Sequence, residues 1–232
     1  RVKIFADGAD KKSMLASAEN PLIQGFTTNP SLMKSAGVVD YRAFGKEILS
    51  VIQSKPISFE VFADEFGEMR RQAVDLAQWG PNVYVKIPVT NSEGQSSVPL
   101  VRELSQRGIK LNVTAVFTLP QVWEICQALK GGAPSVVSVF AGRIADAGRD
   151  PVPLMEAARE MCQHTDRNIE LLWASTREAF NIIQADQMGC DIITVTPSIL
   201  DKVSLFDKDL VQFSLETVRA FKRDAEAAGF ML

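Results

Sequence analysis

One lysine stands where a charge is costly. Lys86 lies in the apolar run VYVKIPV (83–89), sharing its alternation with Tyr84 and Pro88, opposite Val83, Val85 and Ile87. An ammonium group in such a run is either paired in a structural ion pair or put to work. Out of water an amine gives up its proton more readily and becomes a nucleophile toward carbonyl carbon. Other apolar runs carry polar residues of the same kind. ISFEVFA (57–63) sets Glu60 with Ser58 and Phe62, and LNVTAVF (111–117) sets Asn112 with Thr114. VVSVFAG (136–142) sets Ser138 with Phe140. Asp7 closes VKIFA (2–6), and Asn29 closes GFTTN (25–29). One such residue is ordinary packing; a carboxylate, a carboxamide or a hydroxyl on several runs beside a lysine points to catalysis. Arg143 follows SVFAG and Arg177 follows WAST, and guanidinium forks there suit an anionic substrate.

These residues meet only if the runs that carry them converge. Eight short β-rich runs recur at nearly even intervals, the last two being IELLWAS (169–175) and DIITVTP (191–197). Between them lie segments of helical periodicity, such as EFGEMRRQAVDLAQW (65–79), TLPQVWEICQALK (118–130) and PVPLMEAAREMCQ (151–163). Alternation of this kind predicts βαβ units around a parallel sheet, and eight of them predict a (β/α)8 TIM barrel. An open doubly wound sheet is the rival, but its Gly-rich first turn is missing: DGADKK follows the first strand. In a barrel the polar residues gather at the carboxyl ends of the strands, where barrel active sites lie. The late strands, which precede Arg143 and Arg177, commonly frame a phosphate site.

The chain has 232 residues, with 46% hydrophobic and 23% charged residues. That length and composition suit one globular domain spanning residues 1–232, with no Gly/Ser/Pro-rich linker to divide it. Lys+Arg 25 against Asp+Glu 28 gives a net charge of −3, which argues against nucleic acid as a partner. His164 is the only histidine, and Cys126, Cys162 and Cys190 lack C-x-x-C spacing. No metal site, disulfide framework or multi-histidine centre is therefore expected. No apolar run reaches the length of a membrane span, and RVKIFADGAD lacks the pattern of a signal peptide. The chain opens on Arg1 where an initiator methionine would stand, which suggests trimming. A soluble, cytoplasmic protein is the expectation. The tail is amphipathic, with Leu205, Leu210, Phe213, Val218 and Phe221 at helical spacing. It is expected to form an extended C-terminal helix that packs on its own barrel or reaches a neighbouring subunit. A homo-oligomer, a dimer or a decamer, is the corresponding assembly.

FTTNPSLM (26–33), VYVKIPVT (83–90), LNVTAVFT (111–118), SVFAGRIAD (138–146), WASTR (173–177) and ITVTPSIL (193–200) together resemble the transaldolases. The resemblance is strongest to the short-chain group that also contains the fructose-6-phosphate aldolases, and it spans nearly the whole chain. It implies a class I mechanism on a (β/α)8 barrel, with sugar phosphates as substrates and no metal or organic cofactor. It further implies that Lys86 is the Schiff-base lysine. Asp7 would handle the hydroxyl proton during C–C cleavage, and Glu60 with Thr114 would hold the catalytic water. Asn29 and Asn112 would orient the dihydroxyacetone unit, and Ser138, Arg143 and Arg177 would bind phosphate. The aldolase branch carries Gln at the position matching Glu60, Tyr at that matching Phe140, and no strand-five Asn. This chain has Glu60, Asn112 and Phe140, the choices of the transferase branch. The expectation is a transaldolase of the pentose-phosphate exchange, with a lyase that releases dihydroxyacetone as the alternative. A sugar-phosphate sensor is the non-enzymatic rival. The FADGADKKSML opening departs from the commonest form after Asp7 and leaves the choice of sugar open.

Overall fold

A computed structural model describes residues 1–232. Eight parallel strands close into a barrel in the order of the sequence: β1 Lys3–Asp7, β2 Ile23–Thr27, β3 Ile57–Glu60, β4 Val83–Pro88, β5 Leu111–Val116, β6 Ser135–Val139, β7 Ile169–Trp173 and β8 Ile192–Val195. The expected (β/α)8 barrel is therefore present. Helices fill the connections: α1 Lys11–Ala18, α2 Pro30–Ser35, α3 Tyr41–Val51, α4 Phe66–Ala77, α5 Val98–Gln106, α6 Leu119–Leu129, α7 Ala141–Asp146, α8 Pro151–Thr165, α9 Phe180–Gln187, α10 Pro197–Asp201 and α11 Leu210–Ala228. No helix is long and apolar enough to cross a membrane.

Alternation divides each strand between two layers. Val85, Ile87, Val113, Val137, Leu171, Trp173 and Ile193 point outward and are wholly buried between sheet and helices. Burying each of these side chains contributes about 1.5–3 kcal/mol. The opposite parity lines the barrel. Phe5, Val136, Leu172, Ala174 and Ile192 pack there, with Tyr84 and Phe140 against them, so the barrel is plugged by side chains. Above this plug the register sets Asp7 beside Thr27, Glu60 beside Lys86, and Lys86 beside Asn112. Residues paired in a parallel register point to the same face, so the polar residues form a ring at the strands' carboxyl ends.

Helix starts are signalled locally. Asp10, Asn29, Asp40 and Asp150 each accept a backbone N–H two or three residues on. At α6, Thr118 and Gln121 form a reciprocal capping box. Asn29, read from the sequence as closing the second strand, is in fact the N-cap of α2, two residues past the end of β2. The run ISFEVFA likewise outlasts its strand: β3 stops at Glu60, and Phe62 is exposed.

The chain divides into two compact units, Arg1–Leu200 and Asp201–Leu232. The first contains the barrel. The second holds a 3-10 turn, Lys202–Leu205, and then α11, which Asp209 caps and Gly229 ends at φ 69°. The extended amphipathic helix is thus present, with Leu210, Val218 and Phe221 on one face beside Val211 and Leu215. Leu205, counted in the apolar stripe from its spacing, belongs to the 3-10 turn and not to the helix.

Candidate active site

A cavity of about 240 Å³ opens at the carboxyl ends of the strands. Seven residues singled out in the sequence line it: Asp7, Asn29, Lys86, Ser138, Phe140, Arg143 and Arg177. Glu60, Asn112 and Thr114 do not line it. Glu60 on β3 and Asn112 on β5 stand beside Lys86 in the same ring, and Thr114 on β5 stands beside Pro88, two residues further on.

Lys86 is only 6% exposed. Its Nζ donates to the carbonyl of Thr28 at 3.2 Å and lies 3.9 Å from Glu60 Oε1. Asp7 accepts a hydrogen bond from Thr27 Oγ1 at 2.9 Å, and the Thr27 hydroxyl also meets that of Thr194. Burial pushes the Asp7 carboxyl above the ordinary range, against the pull of Lys86 and the Thr27 hydroxyl. Glu60 is raised for the same reason, again opposed by Lys86. Desolvation therefore outweighs attraction at both acids, which makes each a stronger proton acceptor than an ordinary exposed carboxylate. Tyr41 buttresses Glu60 from outside the ring by donating to its backbone carbonyl at 2.6 Å.

A second network holds the adjacent wall. Ser138 Oγ donates to Asn112 Oδ1 at 2.6 Å, and Asn112 Nδ2 donates to Ser58 Oγ at 3.1 Å. The Ser138 hydroxyl proton is therefore spent on Asn112. Thr114 Oγ1 is buried without a partner, next to a register break where Ala115 takes φ 61°. A bulge re-aims the side chains beside it, and an orphaned hydroxyl there is a natural seat for a water or a substrate oxygen.

Arg143 and Arg177 also line the cavity, from α7 and from the loop after β7. The Arg143 guanidinium lies over the Phe140 ring at 5.5 Å, and Phe140 also packs against Phe117. Ser175 joins them in lining the cavity, although the pattern of the sequence did not single it out. It holds φ 61°, and its buried Oγ has no partner. Ser175 thus borders the cavity on a strained backbone while its hydroxyl stays buried and unsatisfied. The available signal was a hydroxyl two residues before Arg177 in WASTR. Gly142 makes this arrangement possible: a Cβ there would fall 1.5 Å from the Ser175 carbonyl oxygen.

Fold and site together define a (β/α)8 barrel with a buried amine near two carboxyls, and a cavity lined by that amine and two arginines. The chain belongs to the Transaldolase/Fructose-6-phosphate aldolase family, which matches residues 4–232. Proteins named probable transaldolase are similar along most of their length. That of Mesorhizobium japonicum is 36% identical over 216 residues, covering 91% of this chain and 94% of its own. That of Methanococcus maripaludis strain C7 is 36% identical over 215 residues, covering 93% and 94%. That of Dehalococcoides mccartyi is 33% identical over 199 residues, covering 86% and 88%. A solved structure described as a putative lyase/mutase from Burkholderia cenocepacia shares the fold, with a TM-score of 0.61 at 12% identity, covering 99% of this chain and 84% of that one.

Proposed function

We propose that the protein is a transaldolase, moving a dihydroxyacetone unit from a ketose phosphate to an aldose phosphate through an imine on Lys86. The observation that carries this reading is the one cavity shared by Lys86, Asp7, Arg143 and Arg177. Lys86 Nζ attacks the ketose carbonyl, and loss of water gives the imine. Asp7 takes the hydroxyl proton as the adjacent C–C bond breaks, releasing the aldose and leaving an enamine on Lys86. The enamine then adds to the acceptor aldehyde, and water cleaves the new imine. Glu60 and Thr114 hold that water, and Asn29 and Asn112 orient the three-carbon unit. Arg143 and Arg177 hold the terminal phosphate. Sedoheptulose 7-phosphate or fructose 6-phosphate is the donor, and glyceraldehyde 3-phosphate the acceptor of the pentose-phosphate exchange.

Transfer rather than release follows from Phe140, which offers no hydroxyl to assist hydrolysis of the three-carbon imine. The intermediate waits for an acceptor, and ping-pong kinetics result. Phe140→Tyr is expected to raise the ratio of free dihydroxyacetone to transfer product, measured by mass spectrometry with and without acceptor. If the wild type already releases dihydroxyacetone as fast as it transfers it, the lyase reading of the family takes over.

Arg143→Ala and Arg177→Ala are each expected to cost roughly 1.5–3 kcal/mol in kcat/KM for phosphorylated donors, the range for charge-assisted hydrogen bonds. The loss should be far smaller for fructose, which has no terminal anion. Equal losses on both donors would assign the arginines to structure.

A further inference from the structure

SVFAGRIAD ends in a carboxylate that the proposed chemistry leaves unused. Asp146, the last residue of α7, does not line the cavity, yet one of its oxygens, Oδ2, accepts from Arg177 Nε at 3.0 Å and from Nη2 at 2.6 Å. We propose that Asp146 is a positioning residue for substrate recognition: it clamps one edge of the Arg177 guanidinium so that the remaining N–H groups face the cavity and receive the substrate's terminal anion. The inference rests on the sugar-phosphate reading of that cavity.

The surroundings support a positioning role over a stabilising one. The side chains of Asp146 and Arg177 are 54% and 47% exposed, and ion pairs in such settings contribute little to stability. A guanidinium has five N–H donors in a rigid fork. The clamp occupies two of them on one edge and leaves three, with the guanidinium plane held. The arginine's backbone is fixed independently. Asn181 Oδ1 accepts from the N–H of Arg177 at 3.1 Å and of Glu178 at 3.0 Å, and Thr176 Oγ1 donates to the Thr194 carbonyl at 2.7 Å. The Gly142–Ser175 approach locks α7, which carries Asp146 and Arg143, against the loop that carries Arg177. With the loop anchored at both of these points, the long Arg177 side chain is the part left to order. Without the clamp, substrate binding must order it, and affinity falls accordingly.

The experiment compares wild type, Asp146→Ala, Asp146→Asn and Arg177→Ala. KM and kcat are measured with fructose 6-phosphate and with fructose, and the Kd of inorganic phosphate is measured by calorimetry. Asp146→Ala should raise KM for fructose 6-phosphate and the phosphate Kd by about five- to tenfold, with kcat within about twofold. Values for fructose should stay unchanged. Asp146→Asn keeps an acceptor oxygen for Arg177 and should restore most of the affinity. Tm should move by less than about 2 °C in both. An unchanged or tightened phosphate Kd in Asp146→Ala overturns the proposal, because Asp146 would then be inert or a competitor of the anion. A kcat loss equal on both donors also overturns it, as a structural role. Phosphate binding that follows the expected pattern in a protein with no turnover of any ketose phosphate keeps the clamp and refutes the transaldolase reading instead.

Discussion

Lys86→Met is expected to lower turnover by at least about 10³-fold, because the covalent route loses its only nucleophile. Methionine keeps much of the aliphatic stem of a side chain that is 6% exposed, so the barrel should remain folded, as circular dichroism would report. The same residue should carry the chemical mark. Borohydride added with fructose 6-phosphate should inactivate the wild type irreversibly and leave the dihydroxyacetone-derived mass on the peptide containing Lys86. Reduction under turnover conditions that labels another lysine, or none, sinks the imine mechanism. The Met variant should stay unlabelled.

Asp7→Asn separates chemistry from stability. Loss of the proton acceptor should reduce kcat by about 10²–10⁴-fold, the range for general acid–base groups. Lys86 remains, so borohydride trapping of dihydroxyacetone should still occur. Stability should move the other way. The Asp7 carboxyl is raised in the folded protein, chiefly by burial. A raised acid binds its proton more tightly when folded, so its contribution is favourable below the unfolded value near 3.8 and is lost as pH rises through the folded value. At neutral pH the wild type therefore bears a cost from burying this acid that asparagine lacks. Asp7→Asn should melt at a higher temperature than wild type at neutral pH, and the difference should shrink toward zero near pH 4. A variant that melts lower at both pH values would show that the Thr27 and Lys86 contacts outweigh burial.

Much of this site was readable from the sequence because parallel strands impose strict alternation. Lys86, Glu60, Asn112 and Ser138 share the inner parity of their strands, and that parity alone separates them from Val85, Val113 and Val137. What escaped lies where alternation stops. Ser175 follows the end of β7 in a left-handed conformation that nothing in WAST announces. Thr114 itself was legible from its parity with Asn112, but the bulge beside it was not, since its extra residue leaves no composition signal. Asn29 reads as a strand end until Pro30 is taken as the first residue of a helix, which makes the asparagine a cap. The run ISFEVFA misled in length, because the apolar residues after Glu60 belong to a loop. The role of Asp146 depends on meeting Arg177 across 31 residues, which no local pattern encodes.

The hydroxyl contact between Thr27 and Thr194 spans β1 from both sides, joining residues 167 positions apart. Asp7 sits within that contact, held by Thr27. Asp7 thus acquires this setting only when the last strand of the barrel reaches the first. Contacts between such distant residues carry the largest loop-closure cost and belong to the slow part of folding. A nascent or partly folded chain, even with Lys86 and Glu60 already paired on neighbouring strands, has an unfinished Asp7. The seam of the cylinder is thus also what completes the surroundings of Asp7.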